Sequence, residues 1–265
     1  MKKDDIVVVI PIYRSVLVGD EYLSLAQCMS ILSNYSVVLV KPESLDVSFI
    51  TSEFPSLSVE SFPDQYFVSL RAYNKLVLDE EFYLRFLKFQ YMLIYQLDAY
   101  VFKDELLFWA NKEYDYIGAP WIPWDYSHLT RFGRLKILIK RNIYAFLNKK
   151  KYKSKKYCNF QVGNGGFSLR RINKMIEVVS FYKEKINYYL DDNKSFYPED
   201  VFLLLEITSR KYRLHRPGFK EALRFSMEEN PAWAYNFNKQ ELPFGCHDWN
   251  HDSYKDFWLP IIKPK

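Results

Sequence analysis

The sequence predicts an α/β protein with a mostly parallel central sheet flanked by helices, in a single domain. Three observations carry that prediction. Apolar, β-branched runs alternate along the chain with stretches of helical periodicity. The runs are continuous rather than in-out alternating, the pattern of strands covered on both faces. No internal repeat and no Gly/Ser linker divides the 265 residues, a length that suits one large domain.

The elements follow in order. Ile6 to Ile12 reads as a buried strand, a β-branched run with Pro11 near its end. Glu21 to Ser33 is helical, with Leu25, Cys28, Met29 and Leu32 on one stripe. Ser36 to Val40 is a second buried strand. A helical region over Leu70 to Lys88 leads into an apolar strand at Tyr91 to Gln96. Asp104 to Asn111 reads as a short helix and Tyr114 to Gly118 as a strand. A strand at Gly166 to Arg170 and helices near Ile172 to Tyr182 and Val201 to Tyr212 complete the alternation. Sheets of this kind bind ligands at the carboxyl ends of their strands.

Composition narrows the function class. Apolar residues are 49% and charged residues 26%, as in a soluble globular domain. Aromatics reach 18%, which suits surfaces that stack on sugars or bases and would equally follow from an AT-rich coding sequence. Cys28, Cys158 and Cys246 suggest neither a disulfide framework nor a cysteine zinc site. No signal peptide or membrane span is evident, so a reducing cytoplasm is expected. Between Arg131 and Tyr157 stand eleven Lys or Arg and no acid, while the whole chain is only +5, leaving −6 elsewhere. One basic block in a mildly acidic body argues against nucleic-acid binding, which uses a fold-wide basic face.

Four segments could carry chemistry. In Tyr91-Met-Leu-Ile-Tyr-Gln-Leu-Asp98 a carboxylate ends a central strand, where phosphate ligands and their metals bind, or it simply caps the following turn. In Gln161-Val-Gly-Asn-Gly-Gly-Phe-Ser-Leu-Arg170 three of eight glycines fall within four positions, allowing close ligand approach or a plain tight turn. In Tyr197-Pro-Glu-Asp-Val-Phe202 two acids open an apolar helix; Asp200 could be a general base, and acids also suit a helix N-terminus for its dipole. In Leu242-Pro-Phe-Gly-Cys-His-Asp-Trp249 the histidine could ligate a metal or pack as a core residue.

In this order the segments resemble a bacterial and fungal family known as a domain of unknown function, of the GT-A glycosyltransferase type. Its motifs stand here at Tyr95 to Ala99, Tyr114 to Trp121, Gly163 to Arg170, Glu199 to Phe202 and Pro243 to Trp249. The layout is more distantly similar to fringe-like and glycogenin-like glycosyltransferases. The resemblance implies a GT-A-like fold. It implies transfer of a sugar from a nucleotide-sugar donor, UDP-linked, to a hydroxyl of a glycan or lipid-linked glycan in cell-surface polysaccharide synthesis.

By the same resemblance, Asp98 matches the first acid of a donor-site Asp-x-Asp, and His247 supplies another ligand for manganese or magnesium. Tyr100 stands where the second acid would be, which weakens a hard-cation site. Asp200 matches the acceptor-activating acid of inverting enzymes, with Glu199 as the alternative. Trp121, Asn164, Gly165 and Gly166 match acceptor-side segments. Pro11 and Tyr13 close the first strand, where the nucleotide would sit with Tyr13 stacking on its base. Arg71 and Lys75 share a helix face, and Lys75 is expected at the donor diphosphate. The rival readings are an inactive nucleotide-sugar-binding protein, a retaining transferase, and a metal-dependent phosphotransferase or nuclease.

The basic block at about 131–157 is read as a helical insertion. Leu135, Leu138, Ile139, Ile143, Phe146 and Leu147 recur at helical spacing and the lysines supply the remainder. Such a helix could dock peripherally on an anionic membrane at the inner face of the cell membrane, or serve as a flap over the acceptor side.

Overall fold

The computed structural model describes residues 1–17, 19–122, 136, 139, 158–191 and 198–263. Its main sheet contains β1 (Ile6–Pro11), β2 (Ser36–Pro42), β3 (Ser58–Phe62), β4 (Tyr91–Tyr95), β6 (Tyr116–Ile117) and β7 (Phe167–Arg171). The strand order is β3-β2-β1-β4-β7-β6. A smaller sheet joins β5 (Tyr100–Val101), β9 (Gly245–Cys246) and β8 (Ser226–Met227), in that order.

Burial explains why the central strands read so clearly. Val7 and Val9 of β1 and Met92 and Ile94 of β4 pack into one apolar layer. Ile6, Val8 and Ile10, with Tyr91, Leu93 and Tyr95, pack into the opposite layer. Both faces are covered, so both parities are apolar. The helix Asp20–Leu32 covers the second layer through Leu25, Cys28, Met29 and Leu32. The first layer is covered by the helices Leu70–Val77, Glu80–Leu84 and Ile172–Phe181. Each such fully buried side chain contributes about 1.5–3 kcal/mol.

The sheet is mostly parallel, as expected, with one reversed strand. β1 pairs parallel with β2 and β4, but β7 runs antiparallel to β4, and β6 antiparallel to β7. The chain enters β7 beside the end at which it leaves β4, where Gln96 N–H donates to the Gly166 carbonyl at 2.8 Å, so β7 must run back. Two expectations about helices need correction. The region 70–88 is two short helices, because Asp79 caps a new start by accepting from the Glu81 N–H at 3.1 Å. The helix expected over Val201 to Tyr212 is one turn, Glu199–Val201, followed by a π-helical turn, Phe202–Glu206. The basic block at 131–157 lies outside the described residues apart from Lys136 and Ile139.

Candidate active site

Three acidic or basic side chains converge because of the register of the small sheet. β8 and β9 run parallel with Met227 opposite Cys246, so the next residues, Glu228 and His247, leave side by side. β5 is antiparallel to β9 with Tyr100 opposite Cys246, which carries the chain just before Tyr100 back past His247. Glu228 Oε2 therefore sits 3.0 Å from His247 Nδ1, and Asp98 Oδ1 sits 3.1 Å from Nε2. Gln96 Oε1 is also 3.0 Å from Nε2. Burial works against a charged ring here, but the Asp98 and Glu228 carboxylates outweigh it and hold the histidine pKa well above its usual value.

A cleft of about 600 Å³ opens beside this cluster at the carboxyl ends of β1 and β4. Pro11, Tyr13, Arg14, Tyr73, Gln96 and Asp98 are among its walls. Tyr13 is 59% exposed, with the Arg14 guanidinium 5.1 Å from its ring centre. A ring so exposed over a cleft of this size can stack on a planar ligand.

The glycine run packs between this cluster and a second one. A Cβ on Gly166 would collide with His247 Nε2, and one on Gly165 would collide with the Glu199 carboxylate. Asn164 takes the left-handed conformation, φ 63°, which asparagine tolerates better than most residues. Its backbone N–H donates to Asp200 Oδ2 at 2.9 Å. One four-residue loop thus touches the metal-ligand candidate on one side and the base candidate on the other.

The two adjacent acids have different surroundings. Glu199 is buried and pairs with Arg170 at 2.5 Å, and that guanidinium is fully buried. Arg170 also donates to Ser168 Oγ and Tyr83 Oη, both at 3.0 Å. Glu199 is therefore occupied as a counter-ion. Asp200 has no cationic partner among the described residues and accepts only backbone N–H groups, from Asn164 and Val201. Burial and then the Glu199 charge push its pKa up to about 8, against the pull of those two hydrogen bonds.

Comparisons with known proteins bear on this geometry. The model of a family described as "Protein of unknown function (DUF5672)" matches residues 56–247. The chain belongs to the DUF5672 family. No curated protein matches its sequence. Among solved structures, the galactosyltransferase LgtC with donor and acceptor sugar analogues is similar at TM-score 0.55 and 10% identity, over 97% of this chain and 93% of LgtC. The glycosyltransferase GlyE of Streptococcus pneumoniae TIGR4 is similar at TM-score 0.51 and 11% identity, over 98% of this chain and 60% of that one. The mannosyltransferase Ktr4p of S. cerevisiae gives TM-score 0.45 and 13% identity, over 71% of this chain and 62% of Ktr4p, so this chain spans under two thirds of that one. At these identities the likeness is one of fold. This DUF5672 protein has the GT-A fold of glycosyltransferases.

Of the expected donor-side residues, Pro11, Tyr13 and Asp98 line the cleft together. Lys75 does not join them. It lies on the other side of the helix Leu70–Val77, in a separate groove with Arg71 and Lys183. The i, i+4 spacing correctly put Arg71 and Lys75 on one face, but Ser69 and Tyr73 are the side chains turned to the cleft. Trp121 is 8% exposed, with its ring against Gly163 and in a small cluster with Cys158 and Val201. Asn164 is likewise buried, and its side-chain oxygen accepts from the Gly166 N–H at 3.3 Å. The acceptor-side residues shape the loop from beneath rather than presenting side chains to solvent.

Four residues of the site went unread in the sequence. Gln96 and Arg170 stood inside noted motifs, yet an amide in a strand end and an arginine in a strand carry no distinctive spacing. Tyr73 and Glu228 had no local signal at all; only the register of β8 on β9 reveals Glu228.

The residues present fit a divalent cation, within limits. Asp98 Oδ1 is buried and makes no well-aligned hydrogen bond, despite lying near His247. Glu228 on Nδ1 orients the ring as the carboxylate behind a ligating histidine does. Among the described residues no three His, Cys, Asp or Glu form a metal-holding group. The set therefore suits an ion that takes its remaining ligands from a substrate's phosphates, as magnesium and manganese do, not a closed protein cage.

Proposed function

We propose that this protein is an inverting glycosyltransferase that uses a nucleotide-sugar donor and a hydroxyl acceptor on a glycan. One observation carries the reading: the glycine loop 163–166 packs against His247, itself paired with Asp98, on one side and bonds Asp200 on the other, beside a cleft of nucleotide size. The nucleotide lies in that cleft with its base against Tyr13. Asp98 and His247 would hold the divalent ion, which would act as a Lewis acid toward the negative charge on the departing diphosphate.

Asp200 takes the proton from the acceptor hydroxyl as its oxygen attacks the anomeric carbon. The carbon–oxygen bond to the donor phosphate breaks in the same step. Displacement from the opposite face inverts the anomeric configuration. Arg170 holds Glu199 away from this work, and the Asn164 N–H fixes the direction in which Asp200 presents its free lone pairs. Lys75 takes no part, because it does not reach the cleft.

The experiment is a panel of UDP- and GDP-sugars incubated with manganese, with release of free nucleotide followed by chromatography. One donor should be turned over, and turnover should fall on chelation and in Asp98→Asn. A protein that binds a nucleotide sugar yet never releases nucleotide, with any glycan supplied, would be the inactive binding protein instead.

A further inference from the structure

A third pocket, of about 630 Å³, lies beyond the β6 edge of the sheet. Arg210, Arg213, His215 and Arg216 line it, with Phe160 and Phe219, and none of its described lining residues is acidic. Asp115, which contacts this segment, is engaged: it accepts the His215 backbone N–H at 2.8 Å and pairs with Arg171 at 3.4 Å.

Arg216 is the telling residue. Burial lowers its pKa to about 10; the Tyr116 ring hydroxyl opposes this and the neighbouring Arg213 charge adds to it. No described carboxylate neutralises it. A half-buried guanidinium with no counter-ion among the described residues costs free energy that a bound anion would relieve. Three arginines around one hollow match the planar, bidentate recognition of phosphate oxygens.

One wall of this hollow leads to the acceptor side. β6 is parallel to β4, since both run antiparallel to β7, so their carboxyl ends share one end of the sheet. The His215 carbonyl accepts from the Asp115 N–H at 2.8 Å, which starts the arginine segment at the amino end of β6, while the bridge of Val162 to Pro120 carries the other wall past its carboxyl end. Gln161 and Val162 form the opposite wall and run directly into Gly163 and Asn164, the latter bonded to Asp200. Across the sheet the order is donor cleft over β1 and β4, Asp200 beside the start of β7, then the arginine hollow past β6. Phe160 and Phe219, in edge contact at 5.3 Å, add an apolar wall that suits a sugar ring or lipid stem next to the anion.

We propose that this hollow binds a phosphate or diphosphate group carried by the acceptor, so that the protein glycosylates a glycosyl phosphate rather than a neutral glycan. The inference rests on the transferase reading for its meaning, and its test does not use turnover. Inorganic pyrophosphate is titrated calorimetrically in EDTA into wild type and into Arg213→Gln/Arg216→Gln, with both proteins also melted with and without a nucleotide sugar. A parallel arm sediments both proteins with vesicles of phosphatidylglycerol and phosphatidylcholine.

Pyrophosphate should bind wild type at least about ten-fold more tightly than the double variant, the effect of losing one charged hydrogen bond or more. Arg216→Lys should retain part of the affinity. Binding of vesicles alone, lost in the variant, assigns the phosphate to a lipid headgroup. Equal pyrophosphate and vesicle binding by the two proteins, or none by either, overturns the proposal even if the nucleotide sugar stabilises both. Absence of nucleotide-sugar stabilisation with pyrophosphate discrimination intact would instead strike the transferase reading. If the double variant melts well below wild type, the exposed pair Arg210→Gln/Arg213→Gln reads the same comparison.

Discussion

On the proposed reading, Arg170 decides which of two adjacent carboxylates is left to work as a base. Its fully buried charge pairs with Glu199, so Glu199→Gln leaves an uncompensated cation and should cost about 3–5 kcal/mol of stability. Asp200→Asn removes no ion pair, should melt near wild type, and should lower transfer roughly 10²- to 10⁴-fold. Melting curves and initial rates on the two variants separate the roles: a thermally normal Glu199→Gln with no activity would reverse the assignment. The pH dependence has a definite sign. With its pKa pushed up to about 8, Asp200 is protonated at neutral pH, so kcat/KM should climb as pH rises toward and past 8. The folded state then binds more protons than the unfolded one between the ordinary carboxylate pKa and 8. Stability contributed by this group falls as pH rises through that window, and Asp200→Asn should lose that part of the slope. The sequence showed both acids but not their difference, because Arg170 lies 29 residues away and meets Glu199 only through the fold.

At the scale of elements, the long buried strands were legible and the short ones were not. β1, β2 and β4 are covered on both faces, and a continuous apolar run records that directly. β3, Ser58–Phe62, sits at the sheet edge with a mostly polar composition, so its run leaves no such record. β5, β8 and β9 are two residues each, too brief for any periodicity, yet they set the register that joins Asp98, Glu228 and His247. The turn Phe202–Glu206 misled for another reason. Phe202 and Leu203 face the main core while Leu204 and Leu205 face the Trp121 cluster, so consecutive apolar residues serve two cores and a 3.6-residue stripe is not kept. The glycine motif was noted for close approach, and the approach proves to be by His247 and Glu199. Gly166→Ala should therefore displace the imidazole and weaken manganese binding, read by calorimetry or by electron spin resonance of the free ion. Glu228→Gln should weaken it by about ten-fold or more, the usual cost of removing a partner behind a ligating histidine. Manganese binding untouched by both changes would leave the cluster as a structural ion pair.

For the whole molecule, on the proposed reading, labour is divided across the width of the sheet. β1 and β4 end at the cleft assigned to the donor, and β7 with β6 carries the glycine loop and the side assigned to the acceptor. Ligand binding to only one half should still stabilise the entire fold, because β4 and β7 share a ladder of five residue pairs through the core. A nucleotide sugar at one hundred times its Kd, with manganese, contributes about 2.7 kcal/mol. For a domain of this size that raises Tm by roughly 5–11 °C, at about 2–4 °C per kcal/mol. Asp98→Asn should lose most of that rise, since it removes a donor-side carboxylate. Asp200→Asn should keep it in full, since the base touches the acceptor and not the donor. The pair of melting curves therefore tests the division itself: a rise lost equally in both variants would mean that the glycine loop couples the two sides into one binding unit, and a rise kept in both would take Asp98 out of donor binding.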